Sequence, residues 1–130
     1  MKSSETSRRG LAVWLWLAYW LALAASTHLP PTSAPHPGTG WDKLVHCVAF
    51  AILAILACQA LPRQAVWVLL LAALIYAALD ELTQRWVGRQ PDALDWLADA
   101  VGILAGLWLG SRLRRRDFRA GPQDQLKSVP

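Results

Sequence analysis

Charge is scarce in this chain, and its placement matters more than its amount. Only 17% of the 130 residues are charged, against 55% hydrophobic. Four runs are almost free of it: Leu11–Thr27, Leu44–Leu61, Ala65–Leu79 and Ala93–Leu109. Each approaches the roughly 20 apolar residues needed to cross about 30 Å of hydrocarbon. That pattern excludes an ordinary soluble globule and predicts an all-α, transmembrane four-helix bundle, one domain over residues 1–130. The third run continues as helix to Gln84, and the fourth extends to Ser111. Cysteine is equally sparse. Cys47 and Cys58 are eleven residues apart on one predicted helix, hence about 16 Å apart along its axis. A disulfide between them is excluded, and both read as small apolar fillers.

Basic residues are scarce on one side of the predicted membrane. Alternating the four spans puts ten Lys and Arg on the side of both termini and the Pro62–Gln64 turn. The other side has only Lys43, Arg85 and Arg89. Lys and Arg favour cytoplasmic loops, so both termini are expected inside the cell. Trp41, Trp86 and Trp96 would mark the outer interface, and Trp67 and Trp108 the inner one. The first span has a competing reading: Lys2, Arg8 and Arg9 before an apolar run ending in Ala24-Ala25-Ser26 resemble a cleavable signal peptide. The length of the run and the bulk of Trp14, Trp16, Tyr19 and Trp20 favour a retained helix. Pro30–Gly40 reads as an exposed outer loop. Residues 112–130 read as a cytoplasmic tail, disordered from Asp117 onward, whose Arg112–Arg116 cluster orients the chain and can meet anionic lipid. No nucleic-acid partner is expected.

Acidic residues run opposite to the basic ones. Asp42, Asp80, Glu81, Asp92, Asp95 and Asp99 are six of the nine in the chain, and all fall on the outer side. With His46 and Gln84 they place polar groups from three helices at one depth, just inside the boundary. A charge there costs a few kcal/mol or more unless it faces protein or water, so these groups should meet in the bundle interior. Asp80 and Gln84 are four residues apart, as are Glu81 and Arg85, and each pair should share a helix face. Asp95, Asp99, Gly102, Gly106 and Gly110 form one stripe, whose glycines allow a neighbouring helix to approach closely. Asp92, after Pro91, is placed to cap the last helix, and Asp42 needs no role beyond solvation. A purely structural reading has Lys43, Arg85 and Arg89 neutralising the acids and locking the bundle.

The residues resemble a known family at this point. Asp42-Lys43-x-x-His46-x-x-x-Phe50 looks like its first signature. Asp80-Glu81-x-x-Gln84, Arg89, and Asp95-x-x-x-Asp99-x-x-Gly102-x-x-x-Gly106 look like its second. Together, over Trp41 to Gly110, they are similar to the VanZ-like family of bacterial membrane proteins, some associated with reduced susceptibility to glycopeptide antibiotics. Asp99 stands where the family commonly has Asn, and Pro91 follows Arg89 where a Pro-Gly-Arg pattern is usual. The resemblance implies a multi-pass protein of the bacterial cell (inner) membrane, acting on a lipid or cell-wall component.

Two functions fit these residues. One is binding of an envelope ligand at the outer leaflet: Lys43, Arg85 and Arg89 would meet a phosphorylated headgroup, with His46, Glu81, Gln84, Asp95 and Asp99 orienting them. The other is catalysis on a phosphorylated lipid or cell-wall precursor. His46 with Asp80, Glu81, Asp95 and Asp99 would supply general acid and base or hold a divalent cation. Against the second, the chain has no His-x-x-x-His motif and no Ser beside His46. Ion translocation is disfavoured, because the inner halves of the helices offer only Gln59 and Tyr76 as polar groups.

Overall fold

The structure is a computed structural model that describes residues 2–29 and 40–119, with side chains over 7–29 and 40–116. It is a bundle of four helices: α1 (Lys2–Thr27), α2 (Trp41–Ala60), α3 (Val66–Gln84) and α4 (Ala93–Arg119). Each contains a stretch long and apolar enough to cross a membrane. The expected all-α four-span architecture is therefore borne out. The connection over residues 30–39 and the chain beyond Arg119 lie outside the described residues. Arg112–Arg116 belong to α4, which passes the expected end at Ser111 without a break.

Connections set the order of the helices. Pro62 ends α2, and the chain turns with Gln64 N–H donating to Leu61 O (3.0 Å). Arg114 of α4 clamps this turn by donating to the carbonyls of Pro62 (3.1 Å) and Gln64 (3.4 Å). At the opposite end, α3 tightens into a 3₁₀ turn, Arg85–Val87, and stops at Gly88, whose φ of 82° suits glycine. Asp92 then caps α4, its Oδ1 accepting from Leu94 N–H at 2.8 Å. Helices α2 and α4 consequently run parallel, with α1 and α3 antiparallel to them.

The α2–α4 seam is the tightest contact. A methyl group added at Gly102 would overlap the Cys47 carbonyl, and one at Gly106 the Ala51 carbonyl. At Gly110 it would sit 2.9 Å from Cys58 Cβ. The glycine stripe thus seats α4 directly on the α2 backbone, the close approach that drives helix association where apolar burial cannot. Around it lies a core of Phe50, Leu53, Ala54, Ala77, Ile103 and Leu107. Helix α1 packs on α2 and, more lightly, on α3. The outward faces carry Val48, Ile52, Leu71, Ile75, Leu97 and Val101, all exposed. In water such a surface would be a liability. Against lipid it is the expected one.

Candidate ligand site at the polar end of the bundle

Three layers of polar side chains fill the end of the bundle where α2 and α4 begin and α3 ends. In the outermost layer, Lys43 Nζ donates to Asp95 Oδ1 (2.6 Å), Asp92 Oδ2 (2.9 Å) and Asp42 Oδ2 (3.3 Å). This lysine ties the first turn of α2 to that of α4. Asp92, outside the spans, caps α4 with one oxygen and takes Lys43 with the other. Those bonds, Lys43 first, hold its carboxyl below the usual carboxylate range. Both interactions are complete at neutral pH and fade only as pH falls through that lowered value.

One turn deeper, His46 Nδ1 lies 3.0 Å from Asp99 Oδ1. The Asp99 side chain is 1% exposed and that of His46 13%, so this contact crosses the seam almost without water. It fixes the imidazole through Nδ1. His46 Nε2 makes no hydrogen bond among the described residues, and the ring lines a cleft.

The third layer centres on the end of α3. Asp80 is buried and accepts from the Thr27 hydroxyl (2.9 Å) and from Gln84 Nε2 (3.1 Å). His28 Nδ1 is 3.7 Å from Asp80, and His28 Nε2 is 2.9 Å from Thr83 Oγ1. Glu81 Oε1 accepts from Asp92 N–H, while its buried Oε2 has no partner among the described residues. A buried polar atom without a partner usually points to a water, an ion or a functional role.

The structure thus gathers His46, Asp80, Glu81, Gln84, Asp95 and Asp99 at one end of the bundle, with Lys43 beside Asp95 in the outermost layer. It does not give the three bases equal parts. Lys43 is occupied by three carboxylates. Arg85 is exposed and makes no ion pair among the described residues. The expected Glu81–Arg85 pair does not form, because α3 ends at Gln84 and the 3₁₀ turn breaks the four-residue stacking. Arg89 is half-buried, equally without an ion pair among the described residues, and lines the cleft. The divalent cation considered for these acids finds no group of three His, Cys, Asp or Glu suited to hold it among the described residues.

The cleft, about 500 Å³, lies between α1 and α2. Arg89, His46, Ser26 and Thr27 line its polar part, and Ala22, Leu23, Val45, Ala49, Tyr19 and Phe50 the rest. Thr27, His28 and Thr83 escaped the sequence reading, because neutral polar residues at the end of an apolar span look like a simple boundary. Their signal was depth, since Thr27 and His28 end the first span at the level where Asp80 ends the third.

Fold and site together define a four-span membrane protein with a buried polar cluster at one end and a lateral cleft beside it. A family model of VanZ/LLP1 proteins matches residues 5–114. The chain belongs to the VanZ/LLP1 family. That match includes α1, which the signatures over Trp41–Gly110 left aside, in keeping with the partners α1 supplies to Asp80. No match was found among curated proteins or among solved structures.

Proposed function

We propose that this single-domain protein sits in the bacterial cell membrane with both termini inside, and binds the anionic headgroup of a lipid or cell-wall-related ligand at its polar end. Arg89 is the charge partner and His46 a hydrogen-bond partner through Nε2. The observation that carries the reading is the unequal use of the bases: Lys43 is saturated by carboxylates, whereas Arg89 lines an open cleft with no acid on it among the described residues. Glu81, Gln84, Asp95 and Asp99 act at one remove, holding His46, Lys43 and the Arg89 loop in place.

The headgroup reading predicts that phosphatidylglycerol binds the purified protein more tightly than phosphatidylcholine. Arg89→Gln should lower that preference about tenfold, the loss of one charge-assisted hydrogen bond of roughly 1.5 kcal/mol. Equal affinity for both lipids, in wild type and variant alike, would remove Arg89 from the role.

A second reading has its own support. His46 held by a buried carboxylate through Nδ1, with its ring lining a cleft, has the arrangement of a general base. Under it, phosphorylated lipid would be turned over, and His46→Ala would stop turnover while Arg89-dependent binding persisted. Absence of product over hours at saturating lipid leaves binding as the function.

Orientation is tested separately. In a Cys47→Ala, Cys58→Ala background, Gln90→Cys should react with an impermeant thiol reagent in intact cells, and Gln64→Cys only after lysis. The reverse labelling would move the cluster to the cytoplasmic face.

A further inference from the structure

We infer that the occupant of this site carries its own hydrocarbon chain, which lies in the groove between α1 and α2 below the head on Arg89: the ligand is a membrane lipid entering sideways from the leaflet. The inference rests on the headgroup reading above and names its ligand class.

The cleft changes character along its length in the order a lipid does. Arg89, His46 and Thr27 stand at the polar end, followed inward by Ala22 and Ala49, with Tyr19 and Phe50 at the far end. From Thr27 to Tyr19 is eight residues of helix, about 12 Å at 1.5 Å per residue. One leaflet of hydrocarbon is roughly half of 30 Å, so the groove spans most of a leaflet. A free sugar phosphate or other chainless ligand would leave that apolar length unmatched.

The groove is held open and opens laterally. Helix α1 is pinned at two levels. Tyr19 OH donates to Ala49 O at 3.0 Å at the inner end, and the Thr27 hydroxyl donates to Asp80 at the outer end. Outward of the Tyr19–Ala49 fastening, Ala22 and Ala49 line the groove with side chains too short to close it. Ala22 and Val45 are exposed along its rim, and at that depth exposure means contact with lipid. Charge complementarity supplies the other end: Arg89 has no acidic partner among the described residues, so an anionic head satisfies it without displacing a pair seen there.

The test uses the full chain in detergent, with phosphatidylglycerol and glycerol 1-phosphate as probes, the second being a glycerol phosphate without chains. Wild type should retain phosphatidylglycerol, and glycerol 1-phosphate at millimolar concentration should neither bind nor compete. Ala22→Trp and Val45→Trp fill the groove from exposed positions and should reduce retention at least fivefold with an unchanged melting temperature. Binding of glycerol 1-phosphate as tight as the lipid, with both tryptophan variants binding normally, would overturn the chain while leaving the head in place. Loss of binding in the tryptophan variants with Arg89→Gln unaffected would overturn the headgroup reading instead. Should a tryptophan variant fail to fold, a photoreactive acyl chain on wild type decides the point. Labelling concentrated on residues 19–26 and 45–50, and lost in Arg89→Gln, is expected, and uniform labelling of all four helices would contradict the groove.

Discussion

Leucine at Gly106 should abolish the folded bundle, and alanine alone should weaken it severely. Even the alanine methyl would overlap the Ala51 carbonyl, and the obstacle is backbone, which cannot rotate aside as a side chain would. Ordinary overpacking costs about 1–3 kcal/mol. With backbone on both sides Gly106→Ala should reach the top of that range, and Gly106→Leu should consume most of the roughly 5–15 kcal/mol available to a domain of this size. Gly102→Leu should behave alike, against the Cys47 carbonyl. Ala105 is next in sequence but exposed, so Ala105→Leu should extract and melt as wild type. Size-exclusion profiles and thermal melts in mild detergent read the difference. Equal behaviour of the variants at 105 and 106 would mean that the helices do not pack as described.

The second large effect separates two adjacent acids. Asp80→Asn should destabilise by about 3 kcal/mol or more, whereas Glu81→Gln should leave stability unchanged or raise it. Asp80 accepts from two donors, Thr27 OH and Gln84 Nε2, on different oxygens. An asparagine can accept on only one of them and sets its own N–H₂ against the other donor, leaving a buried mismatch. It also loosens α1, whose outer fastening is the Thr27–Asp80 bond. Glu81 differs. Glutamine keeps the oxygen that accepts from Asp92 N–H and removes a charge whose second oxygen has no partner among the described residues. Deleting an uncompensated charge at a ligand site commonly stabilises while costing function. Thermal melts beside a lipid-binding assay read both. A large loss of stability in Glu81→Gln would turn this end of the bundle into scaffold only.

The sequence made the spans legible because a membrane crossing imposes length and apolarity residue by residue. It made the depth of the polar cluster legible because ionisable groups are too costly to scatter through hydrocarbon. The pairing within the cluster was not legible. Glu81 and Arg85 have helical spacing, but spacing holds only while the helix continues, and α3 ends between them. Lys43, Arg85 and Arg89 look alike in sequence. What separates them is which acids the α2–α4 seam brings within reach, a consequence of glycine contacts between residues far apart in the chain. Asp92 reads correctly as a cap, yet its second oxygen binds Lys43 and its N–H serves Glu81, roles that depend on the third dimension. The contribution of α1 was hidden for a similar reason. Thr27 and His28 carry no charge signal, and only the approach of α1 to the end of α3 turns them into partners for Asp80.

The central claim is that Arg89 holds an anionic ligand in the cleft between α1 and α2. It is tested most directly by native mass spectrometry of the protein extracted gently from its own membrane, wild type beside Arg89→Gln. The account predicts one anionic lipid retained per wild-type chain and a much smaller lipid-bound fraction in the variant, with the same melting temperature once both are stripped of lipid. An identical lipid complement on the two proteins would contradict it.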